Sequence, residues 1–379
     1  MNTFRVLLMV CVTVAATMAH SAGAKLEPGR AVATPVGPPL VLMSSPRAVH
    51  AALTPADGRV ALIGGCVADG REVGPGSRTV DIFDPKTMRI SPGGTLTTAR
   101  IGAAAVPLSD GRVLIAGGWT GPQTTASIEL YDPKARTSVD AGSLSRARAD
   151  IAAVVLNDGR VALIGGHDGR GPVADVDVFD PRTQRVVPGP ALAYARAAGG
   201  ASVRLKDGRV LVVGGMEGQG DRRPSAAVEI SDLSFKRWSP GGALTHARYK
   251  HAAVVLKDGR VLVIGGSDAR DRQGKIGSFE VSDPIAAAFA PAGAAVEPRF
   301  KIGSAVVVLG DGRVFIGGGG ERAEIYDPVT GRSVLAGPSL GAVRSFATAS
   351  LLPDGRVVIA GGYEENSIAV SRGVWVVRP

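Results

Sequence analysis

The sequence is poor in cysteine, histidine and aromatic residues, and it lacks a long apolar run. Two cysteines and five histidines occur among 379 residues, and aromatic side chains make up 4%. A scaffold held together by several disulfides is therefore excluded. The histidines do not show metal-ligand spacing, and no Gly-x-Ser-x-Gly or His-Glu-x-x-His motif is present, so we expect no metal and no other cofactor. No stretch approaches the roughly eighteen consecutive apolar residues of a transmembrane helix, so no transmembrane segment is expected.

What the chain has in abundance is a glycine-rich repeat. The tripeptide Asp-Gly-Arg recurs seven times, and a glycine pair begins seven residues after each Asp. The tripeptides begin at Asp57, Asp110, Asp158, Asp207, Asp258, Asp311 and Asp354. Successive repeats are 43 to 53 residues apart, which is the length of one four-stranded propeller blade and too long for an ankyrin, TPR or leucine-rich unit. The repeat predicts an all-β fold, a β-propeller with seven blades.

The second repeat shows how one unit makes a blade. Ile101–Leu108 and Val113–Ala116 are predicted as two strands joined at Asp110-Gly111. Asp-Gly is typical of a two-residue type I′ hairpin turn, in which both central residues have positive φ. A third strand is predicted at Ser127–Tyr131, before an Asp-Pro pair, and a weaker fourth strand ends at Leu144. The first strand is rich in Ala and Gly, which suits the innermost position, where the blades converge.

Each unit carries the same ordered set of features. An arginine is followed ten to twelve residues later by Asp-Gly-Arg-Val, then by Gly-Gly, and in four units by an aromatic residue with Asp-Pro behind it. These aromatic residues are Phe83, Tyr131, Phe179 and Tyr326. The order resembles the Kelch repeat over residues 28 to 379, and it is nearest in style to bacterial Kelch proteins of the galactose-oxidase propeller superfamily. The resemblance implies a seven-bladed Kelch-type propeller.

The N-terminus has the features of a secretory signal peptide, which we place at residues 1 to 24. Arg5 precedes an apolar run from Val6 to Ala16, and Ala22-Gly-Ala24 is a suitable cleavage site. We expect a secreted or periplasmic protein in which residues 25 to 379 fold as a single propeller. Processing would also remove one of the two cysteines, so no intrachain disulfide is expected.

The last repeat lacks a fourth strand of its own, because its third strand near Val374–Val377 ends the sequence. The N-terminal Gly37-Pro-Pro-Leu40 matches Gly189-Pro-Ala-Leu192 and Gly337-Pro-Ser-Leu340, which end other fourth strands. We therefore predict that residues 31 to 36 pair with the last strand. Such a closed propeller has no open sheet edge.

The charge of the chain bears on its partners. Removal of the signal peptide, whose only charged residue is Arg5, leaves 42 basic and 34 acidic residues, a net charge of +8. For an exported protein this charge favours acidic glycans or acidic proteins as partners, and no nucleic acid is expected. The alternative is that the charge serves solubility alone.

One rim of the propeller should carry the functional site. The loops from strand 2 to strand 3 and from strand 4 to the next strand 1 share a rim, and here they differ in length and content between repeats. An arginine precedes each innermost strand on that rim: Arg47, Arg100, Arg148, Arg196, Arg248, Arg299 and Arg344. These arginines form either an anion-binding funnel or a structural set that bonds to carbonyls and acids of neighbouring strands.

Residues that interrupt the repeat are the better ligand candidates. Trp119, His167 and Tyr363 directly follow a glycine pair, while Tyr249 and His251 follow an arginine. An aromatic ring beside His and Arg can stack on a sugar or hold a peptide anchor; the alternative for each is an exposed or channel-filling side chain. The predicted ligand-binding set comprises Arg100, Arg248, Arg344, Trp119, His167, Tyr249, His251 and Tyr363.

We expect a binding scaffold without catalysis, with a protein or an acidic glycan as its ligand. Copper radical oxidases share this type of propeller and need a cysteine-crosslinked tyrosine, a tyrosine followed by histidine, and a further downstream histidine. Here Arg248-Tyr-Lys-His251 separates tyrosine from histidine, and no histidine follows. The alternative is a sugar-active enzyme, because the chain is similar in size and export to periplasmic Kelch-type sialic acid mutarotases. Glu217 with Arg222 or Arg223 would then supply the acid/base and carboxylate-binding groups.

Overall fold

The computed structural model describes residues 41–55, 57–68, 76–197, 201–218, 223–283 and 288–379. Seven four-stranded antiparallel sheets follow one another along these residues. They form a seven-bladed, all-β propeller, as the repeat predicts. The helical structure of the described part of the chain is one 3₁₀ turn at Asp271–Gly274, and no helix there is long and apolar enough to cross a membrane.

In blades 1 to 6 the strands run from the innermost to the outermost in sequence order. Blade 1 comprises Ala51–Leu53, Val60–Ile63, Ser77–Asp84 and Arg89–Arg100, and blade 2 comprises Ala104–Pro107, Val113–Ala116, Ser127–Asp132 and Thr137–Ser143. Blade 3 comprises Ala152–Val155, Val161–Ile164, Val176–Asp180 and Arg185–Pro188, and blade 4 comprises Ala201–Arg204, Val210–Val213, Ala227–Ser231 and Trp238–Ala243. Blade 5 comprises Ala252–Val255, Val261–Ile264, Ser278–Ser282 and Phe289–Ala294, and blade 6 comprises Val306–Val308, Val314–Ile316, Ala323–Asp327 and Arg332–Ala336. Two short strand pairs extend the loops, Met216–Glu217 with Arg223–Pro224 and Arg344–Ser345 with Tyr363–Glu364.

Blade 7 takes its outermost strand from the N-terminal part of the chain. Its strands, from the inside outwards, are Thr348–Leu351, Val357–Ala360, Gly373–Val377 and Val41–Leu42. The pairing is antiparallel, with Val41 opposite Val374, and Met43 N donates to Arg372 O at 2.8 Å. The predicted closure by an N-terminal strand is confirmed, but Val41 occupies the place opposite Val374 that the prediction gave to residues 31 to 36. Residues 31 to 36 themselves lie outside the described residues.

The core consists of apolar layers between neighbouring blades. The second strand of every blade is buried at all its positions, because the adjacent blades cover both of its faces. Val161 and Leu163 of blade 3, for example, pack with Leu114 and Leu130 of blade 2. Complete burial of a Val or Leu side chain is worth about 1.5 to 3 kcal/mol, so these strands hold the blades in place around the channel.

The Asp-Gly turns differ from the predicted type I′ turn. In blade 2, Leu108 N donates to Arg112 O at 2.8 Å and Gly111 N donates to Leu108 O at 3.1 Å. Gly111 has a φ of +88°, whereas the φ of Asp110 is not positive. The loop is thus a type I turn followed by a left-handed glycine bulge. The prediction was wrong because it counted two loop residues where the hydrogen bonds enclose three.

Candidate functional site

A buried arginine–carboxylate pair ties the loop rim to the blade in six repeats. In blade 2, Arg100 Nη1 donates to the carbonyl oxygens of Gly117 and Ser127 at 2.6 and 2.9 Å, and Arg100 Nη2 donates to Glu129 Oε1 at 2.6 Å. The nitrogen–oxygen distances are 3.1 Å for Arg47–Asp81, 2.6 Å for Arg100–Glu129, 3.0 Å for Arg148–Asp177, 3.1 Å for Arg196–Glu229, 2.6 Å for Arg248–Glu280 and 2.6 Å for Arg299–Glu324. No side chain in these pairs is more than 3% exposed.

The carboxylate of each pair also holds the connection from the preceding blade. Glu129 accepts hydrogen bonds from the backbone N–H groups of Thr97 and Thr98 at 2.6 and 3.0 Å. Both charged groups are therefore engaged with the protein. For Arg100 and Arg248 this geometry favours the structural interpretation over the anion-binding funnel.

Blade 7 has an aromatic contact in place of the ion pair. Trp375 stands opposite Ile359, which is the third-strand position that Glu129 occupies opposite Ile115. The guanidinium carbon of Arg344 lies 5.5 Å from the centroid of the Trp375 ring, and Arg344 is half-buried. Of the three predicted arginines, Arg344 is thus the least enclosed.

The two sets of variable loops meet on one rim, as the strand order predicts. The residue after a glycine pair bridges to the residue after the arginine of the same blade. Such bridges join Ile101 to Trp119, Ala149 to His167 and Ser345 to Tyr363. The rings of Trp119 and His167 are 5.5 Å apart, so two of the predicted candidates meet between blades 2 and 3. Tyr363 lies in blade 7, with its ring 5.9 Å from that of Phe346.

The residues two places after each arginine surround the opening of the central channel on this rim. This mouth ring comprises Val49, Gly102, Asp150, Lys250, Lys301 and Phe346 among the described residues. All six have a left-handed backbone, with φ between +53° and +62°. Backbone hydrogen bonds join neighbouring blades at this level: Asp150 N donates to Gly102 O at 3.0 Å, and Lys301 N donates to Lys250 O at 2.8 Å. Because the backbone makes these links, the side chains can differ from blade to blade.

Below the mouth ring lies a cavity of about 440 Å³. Small residues of the innermost strands form its wall, among them Ala104, Ala153 and Ser202. Pockets that hold small ligands typically measure about 300 to 1,000 Å³. The channel mouth is therefore large enough for one sugar residue or one amino-acid side chain.

Two lysines of the mouth ring share one carboxylate. Lys250 Nζ lies 2.8 Å from Asp271 Oδ1, and Lys301 Nζ lies 3.6 Å from Asp271 Oδ2. The Tyr249 hydroxyl donates to the same Asp271 Oδ1 at 3.1 Å. Asp271 begins the 3₁₀ turn in the strand 2–3 loop of blade 5. This loop therefore brings a counter-charge to the inner edge of the rim.

Aromatic rings surround the amine of Lys301. Lys301 Nζ lies 4.5 Å from the ring centroid of Phe300, 5.3 Å from that of Tyr363 and 5.8 Å from that of Phe346. The Lys301 side chain is 11% exposed. This amine thus lies in an environment with little water.

A third lysine completes a group that we call the lysine cluster. Lys275 Nζ lies 2.6 Å from Glu365 Oε2. The cluster comprises Lys250, Lys275 and Lys301 with the carboxylates of Asp271 and Glu365. Three ammonium groups face these two carboxylates, and the carboxyl group of Asp150 also acts on Lys250 across the mouth.

Burial perturbs the pKa values of the charged groups at the mouth. It raises the pKa of Asp150, despite a hydrogen bond from Trp119 and the positive charge of Lys250. It lowers the pKa of Lys250, which the neighbouring ammonium of Lys301 lowers further, and it lowers the pKa of Lys301. Burial would raise the pKa of Asp271, but the two lysines outweigh it and hold that pKa below its ordinary value. Perturbed groups gathered at one opening are typical of a functional site.

Two of the predicted ligand-binding residues, His251 and Tyr249, are buried. His251 is fully buried, and burial lowers its pKa to about 3. Tyr249 is also buried, with its hydroxyl bonded to a loop carboxylate. Sequence reasoning missed Asp150, Lys250 and Lys301. The signal available was a variable residue at a fixed distance from each repeated arginine.

The groups required by two enzymatic alternatives are not assembled in the parts of the chain that the structure describes. There, no three His, Cys, Asp or Glu side chains are placed to hold a metal ion, and Cys66 Sγ faces Ala68 O of its own loop at 3.5 Å. A radical-oxidase copper centre thus does not fit these residues. Glu217, the predicted acid/base of the sugar-active alternative, accepts a hydrogen bond from Ser225 Oγ and does not line the cavity. Of its two predicted partners, Arg223 stands opposite Glu217 in the short strand pair, away from the cavity, and Arg222 lies outside the described residues.

Comparisons with known proteins agree with the repeat. The Kelch motif model matches residues 101–145, which contain blade 2. Among solved structures, the fold is similar to that of a fungal alcohol oxidase of the AA5 family in complex with copper, with 19% sequence identity and a TM-score of 0.71 over 91% of this chain and 76% of that chain. No curated protein sequence matches the chain. The oxidase likeness concerns the fold alone. The repeated residues, the seven blades and the motif match together fit a Kelch-type β-propeller.

Proposed function

We propose that this propeller is an exported binding protein that takes an acidic ligand at the mouth of its central channel. The observation that carries the proposal is the pair formed by Lys250 and Lys301, whose amines lie 2.8 and 3.6 Å from one shared carboxylate at the entrance to the cavity. A carboxylate brought by a ligand would find the ammonium groups of the lysine cluster within reach.

The surroundings of the lysines support a sugar acid or an acidic side chain as the ligand. Phe346 and Tyr363 offer apolar surface beside Lys301, and the paired rings of Trp119 and His167 stand on another part of the rim. An aromatic face packs against the apolar face of a sugar while the lysines receive its carboxylate. The protein-ligand alternative of the same proposal is an acidic segment anchored at the same mouth.

Export is part of this proposal and rests on the N-terminal sequence. Residues 1 to 24, which lie outside the described residues, have a basic start, an apolar run and an Ala-x-Ala site before Lys25. N-terminal sequencing of the protein from a secreting host should return Lys25 as the first residue. Recovery of Met1 on the protein from the cell interior would overturn export and leave the ligand site unaffected.

Calorimetric titration tests the ligand site. Sialylated and uronate-rich oligosaccharides are compared with neutral oligosaccharides of the same length, in the protein and in the Lys250→Met and Lys301→Met variants. Lys134→Met is the matched control, because Lys134 is exposed at an Asp-Pro turn and its loss changes the net charge equally. We expect the acidic ligands alone to bind, with affinity that falls as salt rises and that only the mouth variants lose. Equal affinity for neutral ligands, or equal losses in all three variants, would overturn the proposal.

A further inference from the structure

We propose that Lys301 is a nucleophilic amine that forms a reversible imine with the carbonyl carbon of an α-keto acid or a keto-sugar acid. The inference rests on the proposed acidic-ligand site and names the chemical class of a ligand for it. The two lysines of the mouth ring have different roles in this proposal. Lys250 binds the carboxylate of the ligand, and Lys301 reacts with the adjacent carbonyl group.

The contacts of the two amines differ in the way that this division requires. Lys250 Nζ is hydrogen-bonded to Asp271 Oδ1 at 2.8 Å, a contact that favours the ammonium form and holds this amine in place. Tyr249 donates to the same oxygen at 3.1 Å. Lys301 Nζ lies 3.6 Å from the other oxygen of Asp271, which is longer than a hydrogen bond. Of the two amines, that of Lys301 therefore makes the weaker contact with Asp271.

Lys301 is desolvated and has other cations near its amine. A lysine becomes nucleophilic when it is desolvated in an apolar pocket or placed next to another cation. Lys301 meets both conditions, because its side chain is 11% exposed and because the ammonium groups of Lys250 and Lys275 lie near it. The carboxylates of Asp271 and Glu365 act in the opposite direction, but desolvation is the larger cause. Burial accordingly lowers the pKa of Lys301, so a larger share of its amine is unprotonated near neutral pH than in an exposed lysine.

The reaction is balanced without a further reagent. The lone pair of Nζ forms a bond to the carbonyl carbon, and the C–O bond then breaks. The carbonyl oxygen leaves as one water molecule with the two hydrogens of the amine, and a carbon–nitrogen double bond remains. The step is neither an oxidation nor a reduction, and attack of water on the imine reverses it. The apolar rings around the nitrogen would slow that reversal by keeping water away.

Reductive trapping tests the proposal. The purified protein is incubated with pyruvate and sodium cyanoborohydride, and the labelled lysines are located by peptide mass spectrometry. Lys134, which is exposed on the opposite rim, is the internal reference. We expect Lys301 to be labelled at least about tenfold faster than Lys134 because of its desolvation. An excess of lactate, which has the carboxylate but no carbonyl, should slow labelling of Lys301 and leave Lys134 unchanged.

Two variants separate the roles. Lys301→Arg keeps the positive charge and cannot form an imine, so it should lose labelling at the mouth while lactate binding, measured by calorimetry, persists. Lys250→Met should weaken lactate binding and slow labelling of Lys301 together. Melting curves verify that both variants fold, and the lactate competition needs no variant at all.

The outcomes distinguish this inference from the function on which it rests. Equal labelling of Lys301 and exposed lysines, or no labelling while lactate binds, overturns the imine and leaves the acidic-ligand site intact. Failure of every acidic ligand, lactate and acidic glycans included, to bind at the mouth overturns the proposed function as well.

Discussion

Arg344 faces the ring of Trp375 at 5.5 Å, whereas Arg248, at the same position of its repeat, faces the carboxylate of Glu280 at 2.6 Å. Removal of each arginine therefore leaves a different kind of group without its partner. Loss of Arg248 strands a buried negative charge, because Glu280 is 1% exposed. Loss of Arg344 leaves the Trp375 ring and the carbonyl oxygen of Leu340, to which Arg344 donates, and neither of these groups is charged.

Replacement of the two arginines should therefore have unequal effects on stability. We expect Arg248→Ala to lower the free energy of unfolding by about 3 to 5 kcal/mol, as removal of one partner of a buried ion pair does. Arg344→Ala should lower it by about 1 kcal/mol, the size of a partly exposed cation–π contact. Denaturant titration measures both. Replacing Arg248 and Glu280 together by Met and Leu should recover much of the first loss, and equal losses for the two single variants would contradict the assignment.

The same variants test the anion-binding funnel. Where Arg248→Ala remains folded, we expect its affinity for acidic glycans to equal that of the unmodified protein, because the guanidinium of Arg248 is enclosed and fully paired. A selective loss of acidic-ligand affinity in this variant, without a loss of stability, would restore the funnel.

Two glycines of blade 2 should respond differently to the addition of a methyl group. Gly111 has a φ of +88° and open space where a Cβ would stand, so Gly111→Ala should cost about 1 to 2 kcal/mol of backbone strain alone. A Cβ on Gly117 would stand 2.3 Å from Arg148 O and 2.6 Å from Ile151 Cδ1, so Gly117→Ala should be clearly more damaging. Denaturant titration of both variants checks the order, and the reverse order would contradict the close approach of Arg148 to Gly117 at the rim.

The N-terminal closure should contribute measurably to stability. Met43 follows the closing strand and is completely buried among Val60, Phe83 and Val374. We expect Met43→Ala to lower the free energy of unfolding by about 2 to 5 kcal/mol, as for other buried large-to-small changes. Val329→Ala, at a 91% exposed position, is the control and should change nothing measurable. An effect of Met43→Ala as small as that of the control would show that the last blade does not depend on this segment.

Two buried histidines should make stability fall on mild acidification. Burial lowers the pKa of His50 and of His251 to about 3, while an unfolded histidine titrates near about 6.5. Between these values the unfolded chain binds more protons than the folded one, so the free energy of unfolding should decrease as the pH falls through this window. Each histidine contributes up to about 1.4 kcal/mol per pH unit.

Variants at two histidines isolate this effect. His251→Gln should reduce the slope of unfolding free energy against pH between about pH 6 and pH 5. His246→Gln, at a 65% exposed position, is the matched histidine control. Identical slopes for the two variants would show that His251 titrates normally in the folded protein.

Sequence reasoning went furthest where the chain repeats itself. The spacing of Asp-Gly-Arg was sufficient for seven blades, and the strand order was sufficient to place Trp119 and Tyr363 on one rim. The roles of the arginines were left open, because each partner, such as Glu129, lies about thirty residues away in the sequence. A signal was available, since an acidic residue stands three places before the Asp that follows the third strand in six repeats. Lys250 and Lys301 were not predicted, because the residue type at this position of the repeat differs from blade to blade. Only the geometry of the mouth ring shows that both lysines adjoin one cavity.

The backbone hydrogen bonds of the mouth ring separate the assembly of the propeller from the chemistry of its opening. Phe346 N donates to Lys301 O at 2.9 Å, and Gly102 N donates to Val49 O at 3.1 Å, so the connections between blades involve no side chain at this level. A substitution at a ring position therefore leaves these links between the blades in place. The opening of this channel can change its side chains while the propeller keeps its closure, and only positions that share a partner, as Lys250 and Lys301 share Asp271, are tied to each other.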